Sequence, residues 1–248
     1  MLFRSNFGSY WFSDKIVLAM YRAKEVKDTG HKLYKITREV AEKAKIPMPK
    51  VYAIPSSIMN AFATGRSKNH AAVAATEGIL SSLDNEELKG VIAHEITHIK
   101  NKDILISTIA GTIAGVISYV ATMAQWAAIF GGLGGRDRDG NNNVLSLILL
   151  AIVTPIVASL IQLAISRSRE YLADAGGAGI LKDSSGLTSA LEKIEASVKN
   201  APLRATATSE ATSHLFIVNP FRAGAFANFF MTHPKTSERI KRLKEMKF

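Results

Sequence analysis

Two long uncharged apolar stretches dominate the pattern of hydrophobic and polar positions along the chain. Residues 104–130 contain no charged side chain over 27 positions, and residues 144–166 contain none over 23. As helices they would be about 40 and 35 Å long, which exceeds the thickness of a bilayer's hydrocarbon core, about 30 Å. The alternative is a pair of helices buried in a soluble core, but a chain of this size rarely encloses two such helices. The pattern therefore predicts a transmembrane helical hairpin.

The charges around these stretches predict an orientation. A polar, glycine-rich linker, residues 131–143, joins the stretches, and its two arginines are balanced by two aspartates. The opposite flanks carry basic side chains, namely Lys100, Lys102, Arg167 and Arg169. Because lysine and arginine collect on the cytoplasmic side of membrane helices, both large flanks are expected in the cytoplasm. We therefore expect a multi-pass protein of the inner (cytoplasmic) membrane.

Outside the hairpin, the chain combines short strand patterns with amphipathic helices. The runs typical of strands are residues 50–54, 60–63 and 71–76. The predicted fold class is α+β, mostly helical with a small β-sheet. The hairpin at 104–166 would interrupt one cytoplasmic domain, whose two parts are residues 1–103 and 167–248.

The helix predicted after these strands carries the residues of greatest chemical interest. Asp84 is a good N-cap, and Glu87 stands three residues later, as in a capping box. His94 and His98 are four residues apart, so they share a helix face and can bind one ion. Glu95 lies beside them, where it can hold and deprotonate a water. This is the H-E-x-x-H arrangement of zinc metallopeptidases, and a buried structural pair of histidines would not explain the carboxylate.

A catalytic zinc ion takes three protein ligands and keeps one position open. The chain contains no cysteine, so any metal site must use nitrogen and oxygen ligands. The candidate third ligand is Glu170, just after the second apolar stretch, and Asp174 shares its helix face. Asp174 would accept a hydrogen bond from a ligand imidazole and fix its tautomer. On spacing alone, a solvated charged turn at the end of a membrane helix is the more common explanation.

The order of these motifs resembles that of the M48 zinc metallopeptidases. The pattern His94-Glu95-x-x-His98 followed by Glu170-x-x-x-Asp174 is similar to that family, and its HtpX-like branch of membrane heat-shock proteases matches closely. The resemblance implies a gluzincin-like zinc-peptidase domain with one Zn²⁺ per chain, held by the two histidines and Glu170.

Two further motifs extend the resemblance over nearly the whole chain. Residues 60–65 look like the substrate-side strand of that branch, and residues 233–240 look like its C-terminal motif. Members of the branch usually begin with another pair of hydrophobic spans, and residues 1–103 contain none. This difference concerns how the chain is anchored, not the chemistry of the motifs.

The resemblance implies roles for residues that spacing alone would leave open. Asn60, with Ala61 and Phe62, would hold the backbone of a substrate; a turn residue is the alternative for Asn60. His233 would donate to the tetrahedral intermediate, unless it is only a turn imidazole. Arg239 would contact the substrate or orient a carboxylate, and a surface salt bridge is the alternative.

The implied activity is that of a membrane-bound zinc-dependent endopeptidase. Zinc would activate a water and polarise the scissile carbonyl, and Glu95 would act as the general base. The expected substrates are polypeptides, above all misfolded or damaged membrane proteins cleaved at cytoplasmic sites, as part of stress response and quality control.

The remaining features narrow the choice of partners. The formal charge of +10 indicates an anionic neighbour, and the hairpin favours a lipid bilayer. Nucleic acid is not expected, because the basic residues are scattered and lack an aromatic platform.

Two rival functions stay open. One is an intramembrane protease, which the charged flanks of the motif helix disfavour, and the other is a catalytically silent membrane scaffold, which Glu95 disfavours. Residues 1–20, with five aromatic side chains between positions 3 and 12, are expected to form an interfacial segment, and residues 198–221 a loop.

Overall fold

A mixed four-stranded β-sheet, covered by helices on both faces, forms the larger part of the computed structural model. The structure describes residues 13–131, 141–201, 215–218 and 234–248. Two compact units are present: one comprises Met1–Leu105 and Arg167–Phe248, and the other comprises Ile106–Ser166. We refer to them as the mixed unit and the apolar unit.

The described elements follow one another along the chain in a fixed order. They are α1 (Ser13–Met20), β1 (Lys24–Glu25), α2 (Lys32–Ala44), β2 (Lys50–Ile54), β3 (Ala61–Ser67), β4 (His70–Thr76), α3 (Glu77–Ser82), α4 (Asn85–Asn101), α5 (Asp103–Gly131), α6 (Asn141–Leu181), α7 (Ser185–Asn200) and α8 (Thr236–Glu245). The prediction of a mostly helical α+β fold with a small sheet is confirmed.

The sheet has the strand order β1-β2-β4-β3, so β3 lies at one edge. Strand β2 runs parallel to β4, with Val51 opposite Val73, whereas β3 and β4 form an antiparallel hairpin. Gly65 has a φ of 127° at the end of this hairpin, which a residue with a Cβ rarely adopts. The three predicted strands are present, and β3 extends beyond its predicted end.

Alternating side chains of the strands supply two hydrophobic clusters. Val51, Ala61 and Val73 face the main core, which they share with the apolar faces of α2 and α4. Phe62 and Ala74 face the other side, where Leu18 of α1 and the residues around it cover them. Helix α4 also contributes an apolar stripe that lies wholly in the main core; its members are Leu88, Val91, Ile92, Ile96 and Ile99.

The start of α4 is fixed by the predicted capping box. The Asp84 carboxylate accepts a hydrogen bond from the backbone N–H of Glu87 at 2.9 Å, and the Glu87 carboxylate accepts one from the N–H of Asp84 at 2.9 Å. Glu87 also accepts bonds from Ser189 at 2.6 Å and from Lys193 at 2.7 Å. A single buried carboxylate therefore caps α4 and attaches α7 to it.

At its other end, α4 stops abruptly. Lys102 adopts the left-handed conformation, with φ 59° and ψ 39°, and its N–H bonds to the carbonyls of His98 and Ile99. Helix α5 begins at the next residue, Asp103. The chain therefore changes direction within one residue, immediately before the first apolar stretch.

Helices α5 and α6 cover both predicted apolar stretches. Asp103–Ala124 is long and apolar enough to cross a membrane, and it is the one such helix found among the described residues. Its large apolar side chains are about half exposed, including Ile109, Ile113, Val116 and Val120. Helix α6 contains Pro155 within the second stretch. The hairpin is thus supported for one helix, and its second crossing stays a prediction.

The prediction of a loop at residues 198–221 is wrong for its first residues. Helix α7 continues to Asn200, because its apolar face packs into the main core through Leu191 and Ile194. Residues 202–214 and 219–221 lie outside the described residues, as do residues 1–12 of the expected interfacial segment, whose remainder is α1.

The buried position of Glu87 generates a pH-dependent prediction. Burial raises its pKa, but the bonds from Lys193, Ser189 and the Asp84 N–H outweigh burial and lower the pKa below its ordinary value of 4.5. A carboxyl with a lowered folded-state pKa stabilises the fold above its unfolded pKa and loses that contribution as the pH falls. We expect Glu87→Gln to lower the free energy of unfolding by about 1–2 kcal/mol at pH 7.

Denaturant unfolding at pH 7 and at acid pH measures this effect. The difference between Glu87→Gln and wild type should shrink once the pH falls below the ordinary glutamate value of 4.5. Glu86→Gln is the matched control, because that neighbouring side chain is 71% exposed and pairs with Lys89 on the surface. An equal loss at both pH values would contradict the assignment.

Candidate metal centre

Three side chains from two helices converge on one point. His94 and His98 lie on α4 and Glu170 on α6, and one ligand atom of each lies within 4.8 Å of the others. The two imidazole Nε2 atoms are 3.0 Å apart, and each is 3.6 Å from an oxygen of Glu170. Two ligands on a tetrahedral zinc ion, each about 2.0–2.1 Å from it, would be about 3.3 Å apart. The spacing therefore fits a divalent ion of that size.

Close packing of α6 on α4 brings the carboxylate to the histidines. A Cβ placed on Gly177 would lie 2.8 Å from the backbone nitrogen of His94, and one on Gly176 would lie 2.5 Å from a methyl carbon of Thr97. Neither position has room for a side chain. The two glycines thus set the distance between the helices, and with it the position of Glu170.

Each ligand histidine has a carboxylate on its other ring nitrogen. His94 Nδ1 lies 2.9 Å from Asp174, and His98 Nδ1 lies 2.7 Å from Asp103. Because an ionised carboxylate only accepts, we assign the proton of both rings to Nδ1. Both Nε2 lone pairs then point to the space between the three ligands, as metal binding requires. Asp174 was predicted in this position; Asp103 was not.

Arg239 forms a buried ion pair with Asp174 and does not point to the surface. Its side chain is 1% exposed, and two of its nitrogens donate to the Asp174 carboxylate at 2.7 and 2.8 Å. A third donates to the carbonyl of Ile217 at 3.0 Å. Burial raises the pKa of Asp174, but the charge and hydrogen bonds of Arg239, with the bond to His94, hold that pKa well below its usual range. Asp174 therefore stays a carboxylate facing His94.

The charges around the point of convergence are unbalanced without a cation. Four carboxylates surround it or contact its ligands, those of Glu95, Asp103, Glu170 and Asp174. Two guanidinium groups, of Arg169 and Arg239, contact these carboxylates. At their usual charges, the groups leave two negative charges in a largely buried space, which is costly unless compensated. A divalent cation would supply the missing charge.

Glu95 connects the histidine motif to the edge of the sheet. Its side chain is buried, and its carboxylate accepts a hydrogen bond from the backbone N–H of Ala63 at 2.7 Å. Ala63 belongs to the edge strand β3. The carboxylate adjacent to the ligands is thus held at a strand edge that has no partner strand in the described sheet.

The predicted substrate-side residues face their own chain. The Asn60 amide donates to the carbonyl of Leu215 at 3.1 Å and accepts from the N–H of Ile217 at 3.2 Å. Ala61 and Phe62 are buried, in the main core and in the α1 cluster respectively. What this strand can offer to a peptide is therefore its backbone. The remaining predicted residue, His233, lies outside the described residues.

Comparison with known proteins bears on the chemistry of this arrangement. A family model described as peptidase family M48 matches residues 28–247. A protein named protease HtpX homolog from Syntrophotalea carbinolica is 55% identical over 241 residues, which covers 97% of this chain and 85% of that protein. Homologs of the same name from Thermococcus kodakarensis and Aquifex aeolicus are 52% and 51% identical, over 97% of this chain and 82% and 80% of theirs.

A solved structure gives an independent comparison of the fold. The crystal structure of S. mikatae Ste24p superposes with a TM-score of 0.65 at 20% sequence identity. The match covers 98% of this chain and 56% of that one. At this identity the likeness concerns the fold alone.

Removal of the third ligand should weaken metal binding. We expect Glu170→Ala to lower the affinity for zinc by more than the 10- to 100-fold typical of lost outer partners, because a direct ligand is removed. Metal analysis after dialysis, on wild type and variant, measures the change. Glu238→Ala is the control, since that carboxylate is largely exposed and pairs with Arg242. Unchanged zinc stoichiometry in the variant would remove Glu170 from the ligand set.

The glycine contact can be tested by a matched pair of substitutions in one helix. We expect Gly177→Ala to destabilise the protein by about 1–3 kcal/mol and to weaken metal binding, because the added methyl forces α6 away from His94. Gly179→Ala, two residues on, meets nothing within 4 Å and should stabilise the helix by up to about 1 kcal/mol. Thermal unfolding measures the stability of both variants, and zinc titration measures their metal affinity. Equal effects of the two substitutions would show that the contact does not matter.

Proposed function

The chain belongs to peptidase family M48 and is a metallopeptidase, and on that premise we propose that it is a zinc-dependent endopeptidase of membrane proteins. The observation that carries the proposal is the convergence of His94, His98 and Glu170 beside the carboxylate of Glu95. One Zn²⁺ per chain would be held by the two imidazoles and the Glu170 carboxylate. When bound, it would lower the pKa of water and polarise the scissile carbonyl.

The general base of the proposed reaction is Glu95. Its carboxylate takes a proton from the attacking water and passes it to the leaving amine. Because water and not a side chain attacks, no covalent intermediate forms. The hydrogen bond from the Ala63 N–H supports this role, because it holds the carboxylate in a defined orientation. Asp174 and Arg239 act through His94, which they hold in the tautomer that leaves Nε2 free.

The substrate is proposed to bind as an extended peptide along the edge of β3. Backbone groups at a free strand edge pair with a peptide irrespective of its side chains, which suits an enzyme that cleaves many sequences. Ala61 would contribute through its backbone, whereas the backbone N–H and C=O of Phe62 point to β4, because those of Ala63 point away from β4. Phe62 would act only by keeping the strand in place, and Asn60 would support the strand by holding residues 215–217. His233 is proposed, from the sequence resemblance, to donate a hydrogen bond to the developing oxyanion.

The setting of the reaction is proposed to be the cytoplasmic side of the inner membrane. The helix Asp103–Ala124 is suited to a bilayer, and the basic residues on the flanks of the two apolar stretches favour a cytoplasmic location for the mixed unit. Misfolded or damaged membrane proteins, cleaved at cytoplasmic segments, are the proposed substrates. Quality control under stress is the corresponding role.

The role of Glu95 gives the decisive test. We expect Glu95→Gln to bind zinc as wild type does and to hydrolyse casein about 100- to 10,000-fold more slowly, because only the proton acceptor is lost. Glu86→Gln, at an exposed position of the same helix, should retain full activity. Metal analysis and a proteolysis assay in detergent, each with and without a zinc chelator, measure both properties. Wild-type cleavage by Glu95→Gln would exclude the general-base assignment, and chelator-resistant cleavage would exclude a metallopeptidase mechanism.

A further inference from the structure

An aspartate and an arginine that the proposed reaction does not use lie beside His98. The Asp103 carboxylate is 2.7 Å from His98 Nδ1 and contacts the guanidinium of Arg169. Arg169 also donates to the carbonyl of Asn101, in the last turn of α4, at 3.2 Å. The Asp103 side chain is only 7% exposed, so its charge depends on these two partners.

The break in the chain at Lys102 brings Asp103 to His98. On a continuous helix, residues five apart lie about 140° around the axis from each other and do not meet. The left-handed conformation of Lys102, with φ 59°, ends α4 and turns the first residue of α5 back towards the histidine. Arg169 satisfies the orphan carbonyl of Asn101 at the same point, so it fixes the end of α4 and the position of Asp103 together.

The same arrangement occurs on the other ligand histidine. His94, Asp174 and Arg239 form a chain of imidazole, carboxylate and guanidinium. His98, Asp103 and Arg169 form a second chain with the same order of groups. In each, a carboxylate fixes the tautomer of the imidazole and raises its basicity, and an arginine holds the carboxylate. The two chains differ in sequence position, because the second joins the residues at which the polypeptide enters and leaves the apolar stretches.

We infer that Asp103 is a positioning residue for His98, and that Arg169 holds Asp103 in place. The inference rests on the proposed metal site. If it holds, the metal affinity of the centre depends on the ion pair of Asp103 and Arg169, which lies where the chain meets the apolar stretches. Arg169 was predicted only as a flanking positive charge, and Asp103 was not singled out. Their position beside a ligand assigns them a function in the centre itself.

Metal affinity and ligand geometry, measured on the whole chain in detergent, test this role. We expect Asp103→Ala to lower zinc affinity about 10- to 100-fold, measured by competition with a chelator. Asp103→Asn, which keeps an acceptor for the imidazole, should lose less. Arg169→Gln should also lose less than Asp103→Ala, and the double variant Asp103→Ala/Arg169→Gln should be no worse than Asp103→Ala, because both act through one chain.

The visible spectrum of the Co²⁺-substituted protein reports the ligand geometry directly. It should change in Asp103→Ala and stay as in wild type in Asp28→Asn, a matched loss of one acid at an exposed turn. The thermal unfolding of the metal-free protein separates positioning from a general loss of stability. It should change little in Asp103→Asn, and the zinc affinity of that variant should nevertheless fall.

The outcomes separate the inference from the proposed function. The wild type could bind stoichiometric zinc while the Asp103 variants keep its affinity and its spectrum. That result would overturn the inference and leave the proposed metal site intact. A wild type that binds no zinc would overturn both. If Asp103→Ala does not fold, Asp103→Asn decides by the same criteria. An affinity loss that only follows a loss of metal-free stability would reduce Asp103 to a structural residue and would also overturn the inference.

Discussion

The approach of α6 to α4 determines whether the three ligands meet. The histidines and Glu95 come from one helix, whose cap, apolar face and register are all set locally. The carboxylate comes from another helix, and it reaches the histidines only because Gly176 and Gly177 allow the backbones to touch. The capping box at Glu87 and its bonds to α7 hold the other end of α4 in the same core. Fold and chemistry therefore depend on one helix–helix contact.

Electrostatics explains why so many charged groups are buried around this contact. Removing a carboxylate from water is unfavourable unless an opposite charge and hydrogen bonds replace the solvent. Asp174 has Arg239, Asp103 has Arg169, and Glu95 has a backbone N–H. The negative charge that remains is that of a site suited to a dication.

The sequence predicts the features that depend on local patterns. The helix carrying the histidines, its cap and the strands follow from spacing or motif, because the interacting groups lie within a few residues. Glu170 as a third ligand follows only from the order of motifs in the family that the sequence resembles. Asp103 was missed because its contact with His98 requires a left-handed residue between two helices, which no periodicity reveals. The partners of Asn60 were missed, and the carboxylate that Arg239 orients was not named, because these pairs lie 157 and 65 residues apart along the chain. Long-range pairing of this kind is determined by the tertiary fold, not by local sequence.

The interval between the ligands has a consequence for biosynthesis. Glu170 is encoded 72 residues after His98, and the whole of α5 lies between them. A nascent polypeptide therefore emerges from the ribosome with His94, Glu95 and His98 but without Glu170. The cluster of the three side chains can be completed only after both apolar stretches have been translated.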